Sequence, residues 1–472
     1  MTAIPFRPGR PTAGATLPLA RIGRFLEREC LAIVVFAALA AFVGVAVSSF
    51  VVQDTWLAFV DGRWIAQHGL PHVDELTVMT HGARWVDQQW LAQLGLYGLM
   101  RAGGFALVAA AASVCVTSSL LLCSIAARQA GASARSVALL LPVPLVVAPW
   151  LLQVRTQTLA LPLFAALYAL LVADSRRPSH RVYLVLPLLV LWANLHGSVA
   201  LGVVLVAAHG VLHRRRRLLA LLALPTICAS PYGFSLVHYY HWMLLGSPLR
   251  NYIEEWKPTT FSAITVAFFV SAFALAFALG RTWRALSRFE RVALPLLALA
   301  GFASMRNTTW FAFGVLASAP LLVDATWPTA TGPRRLNRIT SVVAIVVAVP
   351  VVATGLLRAP GTVASRWPSA GAQAVASAAG TRGLVLADDA HADWLLWNQP
   401  TLVGRVGYDV RFELFSGTRL ASLYAFRTDG AHREIASPYR VLTFPSAAAA
   451  KPWLEGGRIV YRTSGFVVVS RP

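Results

Sequence analysis

The chain reads as long apolar blocks divided by short polar connections. A hydrocarbon core of about 30 Å needs about 20 residues in helical form. The blocks at 30–52 and 339–357 supply that length. Eleven apolar segments can be marked: 30–52, 103–127, 136–152, 157–173, 182–195, 197–212, 218–231, 259–280, 292–305, 308–323 and 339–357. The pattern predicts a polytopic α-helical membrane protein of about 11 transmembrane helices. Its membrane domain runs over 30–357, after an N-terminal segment 1–29. The period-two alternation of a transmembrane β-barrel is missing. Segments 182–195 and 197–212 are parted only by His196-Gly197, so they read either as two spans or as a re-entrant hairpin.

Beyond residue 357 the pattern changes. Residues 358–472 carry short apolar runs (Leu384–Leu386, Ile459–Tyr461, Phe466–Val469) among Asp, Arg, Gly and Pro, and Ala372–Ala379 looks helical. Short strands alternating with helices predict a small C-terminal α/β domain.

Composition supports this division. The hydrophobic set makes up 57% of the chain and charged residues only 13%, against about 25% charged in soluble domains. That excludes a soluble enzyme and a disordered chain. The net charge of +21 raises the question of nucleic acid. However, the charge is nearly all Arg, with Lys257 and Lys451 the only lysines, and it gathers between apolar blocks. With the N-terminus placed inside, the inner connections hold 21 Lys+Arg and 5 Asp+Glu, the outer ones 7 and 7, and the tail 13 and 8. This is the positive-inside bias. The expectation is a multi-pass protein of the bacterial inner membrane, N-terminus cytoplasmic, C-terminal domain outside, with the bilayer and not nucleic acid as its partner. Cys30, Cys115, Cys123 and Cys228 sit in or beside apolar blocks with no CxxC and read as packing residues.

The chemistry question is which polar residues lie where hydrocarbon predicts none. They gather at the outer turns. The first outer connection, 53–89, carries Asp54, Asp61, Asp74, Glu75 and Asp87, three histidines and three tryptophans. Trp56, Phe59, Val60 and Trp64 share a helical face, interrupted by Arg63, and predict an amphipathic helix lying in the interface. Asp54 follows closely on the first span. A carboxylate there needs a partner or a function, or it caps the next helix. Asp74-Glu75 is a second acidic pair. Other outer turns add Arg155, Asn194 and His196, Tyr232, Arg250, Glu255, Trp256 and Lys257, and Arg306. Taken singly, each has a structural explanation: snorkelling, helix–helix contact or a turn. In the tail, Gly407–Arg411 reads as a strand end with a local Asp–Arg pair. As a set, the outer residues suggest one outward-facing site. Arg155, Arg306, Arg250 and Lys257 would hold a phosphate, Asp54 would take a proton from an attacking hydroxyl, and Asn194, His196, Tyr232, Glu255 and Trp256 would contact substrate.

This organisation resembles the GT-C superfamily of membrane glycosyltransferases, such as protein O-mannosyltransferases, the aminoarabinose transferase of lipid A and the catalytic subunit of oligosaccharyltransferase. The shared features are an acid just after the first span, a long first outer loop, many spans and an outer C-terminal domain. The resemblance implies inverting transfer of a sugar, hexosyl or pentosyl, from a polyprenyl-phosphate donor to a glycan, lipid or protein acceptor. The family's catalytic acid maps onto Asp54. Many members have Asp-Glu there; this chain has Asp54-Thr55, which leaves Asp74 and Glu75 as alternatives for a second acid or for binding a divalent cation (Mg or Mn). Asp54-x-Trp56 with Gly62-Arg63, Trp192–Gly197 and Pro231–Gly233 are also similar to motifs of bacterial polytopic proteins of unknown substrate. The alternative class is a transporter, flippase or polymerase of lipid-linked glycans, which would place charges near the bilayer midplane in repeated halves.

Overall fold

A computed structural model describes residues 18–328 and 335–472. Residues 1–17 of the N-terminal segment and 329–334 of an inner connection lie outside them. The membrane part is helical, and the tail adds a four-stranded sheet.

Among the described residues, five helices are long and apolar enough to cross a bilayer: Cys30–Phe50, Trp90–Gln129, Thr156–Arg176, Val266–Ala285 and the long run Arg335–Ala379. Met305–Ser318 and Pro320–Thr326, bent by 49°, make a sixth if counted as one span. Ala134–Val147, His180–Leu195 and Val199–Leu212 are apolar but shorter. The expected eleven full spans are therefore not all present as such. Proline is one reason, because it removes a donor and clashes with the preceding turn. Pro142, Pro144 and Pro149 divide the expected 136–152 span into the helices Ala134–Leu140 and Val143–Val147 and a 3₁₀ turn. Segment 218–231 is one short helix, Arg217–Ala223, that tightens into the 3₁₀ turn Leu224–Cys228 at Pro225.

The first and last long helices pack along each other through glycine. A Cβ on Gly355 would lie 2.6 Å from the Gly44 carbonyl oxygen, so the backbones touch as small residues allow. The bundle core is aromatic: Phe164, Trp192 and Trp310 lie within 5.1–6.2 Å of one another, centroid to centroid. The 40-residue Trp90–Gln129 helix is kinked at Gly103-Gly104, where Gly104 has φ 60°. The Trp90, Leu94, Tyr97 stripe thus belongs to a separate leading segment.

The tail sheet has order β1-β2-β4-β3, with β1 (Leu384–Leu386), β2 (Tyr439–Phe444), β3 (Arg458–Arg462) and β4 (Val467–Ser470). β1 and β2 are parallel; the other pairs are antiparallel. The helix Ser369–Ala379 packs on it. The preceding helix runs on to Arg366, beyond the expected boundary at 357.

The first outer loop docks on the tail. Backbone bonds join Val78 N–H to Val406 O (2.9 Å), Met79 N–H to Gly407 O (2.8 Å) and Gly404 N–H to Leu76 O (2.9 Å). Arg63 donates to Leu396 O (2.6 Å) and Trp397 O (3.0 Å). The helix Gln53–His68 is consequently buried all round from Thr55 to Gly62. It does not lie in the interface with one face free, because the tail covers the face that the sequence left to water. Arg63, which broke the apolar stripe, is the residue that ties it there.

Candidate functional site

Asp54 sits in the first turn of the Gln53–His68 helix. It does not cap it. Thr55 supplies the cap instead, since its Oγ1 accepts the Val52 N–H at 3.1 Å and donates to Val154 O. With Val154 N–H donating to Phe50 O at 3.2 Å, this pins the end of the first span to the 153–155 turn. Arg155 is thereby held beside Asp54. One guanidinium nitrogen, Nη1, reaches Asp54 Oδ2 at 3.5 Å and both Glu255 oxygens at 2.9 and 3.0 Å.

Glu255 arrives from a different connection. Ser304 Oγ donates to Glu255 O (2.8 Å), and Met305 N–H donates to Lys257 O (3.2 Å). The same two bonds set Trp256 beside Arg306, whose guanidinium carbon lies 4.4 Å from the ring centroid. Arg306 has no carboxylate within 4 Å among the described residues. Its polar neighbour is His196 Nε2, at 3.5 Å.

The hydrogen-bond network assigns the His196 tautomer. Trp192 Nε1–H donates to Ser198 Oγ (3.0 Å), and Ser198 offers both its hydroxyl (2.8 Å) and its N–H (3.1 Å) to His196 Nδ1. Nδ1 is therefore the acceptor, and Nε2 carries the proton. Burial, with Arg306 and Arg155 nearby, holds the ring well below the usual histidine range, so it is neutral at pH 7. Two donors, the Arg306 guanidinium and His196 Nε2–H, thus face one space. An acceptor between them would satisfy both, and an anion best.

The two carboxylates differ. Burial would raise Glu255, but Arg155 and Arg306 outweigh it and hold the group below its ordinary value. Asp54 keeps 40% of its side-chain surface reachable by solvent, yet it sits in a crevice dense enough that desolvation raises its carboxyl pKa; Arg155 opposes this and Glu255 adds to it. Asp54 is the more basic and the more open of the pair.

The remaining expected residues lie elsewhere. Asn194 accepts from Trp90 Nε1 (2.9 Å) and donates to Val190 O and Ala229 O (2.8 and 2.7 Å), which uses both ends of its amide. Tyr232 donates to Pro71 O at 2.7 Å. Arg250 donates to Leu244 O and Lys257 to Glu254. Asp74 is fully buried and accepts from Leu76 N–H, Thr77, Thr80 and Arg411 at 2.7–3.0 Å. Glu75 is exposed. The two acids are thus parted: Asp74 serves the joint between loop and tail, and Glu75 faces solvent. Among the described residues, no three His, Cys, Asp or Glu side chains converge to hold a metal ion. Asp54 and Glu255 are bridged by Arg155, which meets one oxygen of Asp54 and both of Glu255.

A neighbouring group was not legible as a site. Asp61, Asp87, Arg411 and Glu413 line a cavity with Gln88, Gln93 and Tyr239. Arg411 binds Asp409 and Asp74, which makes the expected local Asp–Arg pair part of a buried triad. Burial raises Asp61 well above its ordinary value and pushes Asp87 and Glu413 up to about 7. Asp54 lies near enough to add to the shift of Glu413.

No protein-family model and no curated protein matches the chain. Solved structures do. ArnT from Cupriavidus metallidurans bound to undecaprenyl phosphate aligns at TM-score 0.50 and 14% identity, over 93% of this chain and 97% of that one. The Archaeoglobus fulgidus oligosaccharyltransferase in the apo form aligns at TM-score 0.54 and 10% identity, over 93% and 74%. The same enzyme tethered to an acceptor peptide containing the NVT sequon aligns at 0.54 and 12%. Both are GT-C enzymes, and identities this low speak to architecture alone: the chain has the GT-C fold.

Proposed function

We propose that the chain is a membrane glycosyltransferase that moves a sugar from a polyprenyl-phosphate donor to an acceptor outside the cytoplasm. The observation that carries this reading is the convergence of Asp54, Arg155, Glu255, His196 and Arg306, drawn from separate connections of a GT-C fold. The structural neighbours support it too: one of them was solved with undecaprenyl phosphate.

In this reading the donor phosphate lies against Arg306 and His196 Nε2–H. Arg155 is already shared by two carboxylates, so its main role is to hold Asp54 in place and keep it ionised. The acceptor hydroxyl oxygen attacks the anomeric carbon from the face opposite the phosphate. The C–O bond to phosphate breaks, and the proton passes to Asp54. The phosphate leaves on its lipid with both electrons of the broken bond, its charge met by Arg306. The anomeric centre inverts. Trp256, stacked on Arg306, keeps the guanidinium flat and aimed.

The same reading proposes about eleven membrane crossings once the bent pair, the three shorter apolar helices, Arg217–Ala223 and Arg288–Ala303 are counted with the five long ones, an N-terminus in the cytoplasm, a tail outside, and a bacterial inner membrane. A reporter active only outside should work after Pro472 and fail beside Arg215. The function itself is tested by incubating the protein in nanodiscs with polyprenyl-phosphate-linked hexoses and pentoses plus an extract of envelope acceptors. Acceptor-dependent release of bare polyprenyl phosphate is expected. No release with any donor sugar would refute it.

A further inference from the structure

The joint between the first outer loop and the tail encloses more acid than base. Asp61 of the Gln53–His68 helix, Asp74 and Asp87 of the loop, Asp393 and Asp409 of the tail, and Arg411 are each at most 3% exposed. Arg411 spends Nε and Nη2 on Asp409 and Asp74 and meets their charges. Asp61, Asp87 and Asp393 have no cation within 4 Å among the described residues. Gln93 Nε2 donates to Asp61 Oδ2 at 3.0 Å, and Asp61 Oδ1 has no partner. Asp87 Oδ1 accepts the Gln89 N–H at 3.3 Å, and Oδ2 has no partner. Neither oxygen of Asp393 has one in hydrogen-bonding geometry, and the Val410 N–H eases its charge only from outside that geometry.

The groups around these three acids cannot neutralise them. Asp61 faces Asp87, Asp393 and Asp409 with Arg411 as the one opposing charge, and Tyr232 stands near both Asp61 and Asp87. Asp87 also faces Glu413, and Asp393 faces Asp409 and Asp54. The other nearby cations are turned elsewhere. Arg63, beside Tyr97, donates to the Leu396 and Trp397 carbonyls; Arg155 is held by Asp54 and Glu255; His391 is turned to Asp388. The adjoining cavity has room for about one water, so solvent does not supply the missing partners. A carboxyl left dry and unpaired takes up a proton instead of keeping its charge.

That proton matters to the joint, because the three acids sit on both of its sides. The Ala392–Asn398 helix, which carries Asp393, packs on the Gln53–His68 helix, which carries Asp61. Ionising them would set like charges against each other across the contact. We propose that the joint is a proton-dependent clamp: Asp61, Asp87 and Asp393 close it while they carry protons, and their ionisation frees the tail from the loop. Burial raises Asp61 and Asp393 well above the ordinary carboxylate value and Asp87 to about 7. In an open joint water would return each to about 4. The closed form therefore holds protons that the open form releases, so closure is favoured at acid pH and lost as pH rises through about 7 and beyond. Asp74 sets the lower limit. Burial would raise it, but Arg411 and the Thr80 and Thr77 hydroxyls outweigh that, so its contribution fails only in strong acid. Asp54 stands two turns before Asp61 on the same helix, so the clamp also steadies the end of the bundle where Asp54 lies.

Hydrogen exchange of the full chain in detergent, expressed as protection factors so that intrinsic pH dependence drops out, reads the joint at the Val78, Met79 and Gly404 amides. The amides pairing β2 with β4 are the internal control. In the native chain, joint protection should hold at about pH 5.5 and fall above about pH 7, roughly tenfold per pH unit for each carboxyl that ionises, while β2–β4 protection stays level. Asp61→Asn and Asp393→Asn are uncharged at every pH. Each should match the native joint at about pH 5.5 and keep protection that the native chain loses at about pH 8.5. Level joint protection in the native chain would overturn the clamp without any variant. So would a loss that takes β2–β4 with it, a loss that both variants share in full, or a joint that an Asn variant opens at acid pH. An Asn variant that loses β2–β4 protection at acid pH has not folded, and Asp87→Asn then takes its place. None of these outcomes depends on sugar transfer, so the clamp and the proposed function fail separately.

Discussion

The two ends of the helix bundle use acids in opposite ways. At the end bearing Arg214–Arg217, each of the following acids has a basic or hydroxyl partner, with Glu290 Oε1 alone among their buried oxygens left without one. Glu29 binds Arg128; Asp174 binds Arg216 (2.6 Å) and His209 (2.9 Å); Glu290 binds Arg176 (2.6 Å). Asp324 accepts from the hydroxyls of Ser133 and Ser136 at 2.6 Å. At the other end Asp54 and Glu255 share a single guanidinium nitrogen, Arg306 has no carboxylate within 4 Å among the described residues, and Asp61 and Asp87 keep oxygens without partners. Closed pairs hold helices together. Open groups, left buried at a cost, are expected where something else binds. The difference assigns structure to one end and chemistry to the other.

The first way to break this contrast is Asp54→Asn. General-base help contributes about 10²–10⁴ in rate, so turnover should fall by that much. Thr55 and not Asp54 makes the cap bond, so the melting temperature should barely move. If Asp54→Asn instead unfolds the protein, the open end is structural too. The rate of the native chain should also fall on the acid side, because Asp54 works only when ionised. Its raised pKa places that limb above the ordinary carboxylate value, and Arg155→Gln should carry the limb further toward neutral pH.

Next comes Arg411→Met. It strands Asp74 and Asp409, both buried, and should cost about 3–5 kcal/mol, read as a loss of thermal stability and as protease cleavage between loop and tail. Smaller is Asp174→Asn at the Arg214–Arg217 end. Losing a charged partner of Arg216 should cost about 1.5–3 kcal/mol with turnover per folded molecule unchanged. Smallest is Glu75→Gln: exposed and outside the cluster, it should alter neither rate nor stability.

Much of this contrast was legible in the sequence, for a physical reason. A charge at the end of an apolar block is visible because hydrocarbon expects none, and that signal picked out Asp54, Arg155, His196, Glu255, Trp256 and Arg306 from separate turns. It could not tell a working group from a satisfied one, so Asn194, Tyr232 and Asp74 entered the same set, though their bonds are all local or structural. The GT-C architecture and the small sheet were also readable; β2 was missed because its run is broken by Arg440 and Thr443. The count of full spans was not readable, because hydropathy does not register how Pro142, Pro144 and Pro149 cut a helix. The cavity at the joint of loop and tail was invisible for the opposite reason. Asp61, Asp87, Arg411 and Glu413 look like ordinary polar residues of a loop and a tail, and only the docking of the two buries them together.

The assignment of chemistry to the open end depends most directly on whether that end holds a lipid phosphate. Native mass spectrometry of the protein extracted from its membrane should find a polyprenyl phosphate bound to the native chain. Arg306→Ala removes the guanidinium that, among the described residues, has no carboxylate within 4 Å and should lower that occupancy about ten- to a hundredfold in affinity. Asp174→Asn, at the Arg214–Arg217 end, should leave it intact. A native chain that carries no such lipid, even when supplied with it, or equal occupancy in Arg306→Ala, would contradict the assignment of chemistry to this end of the bundle.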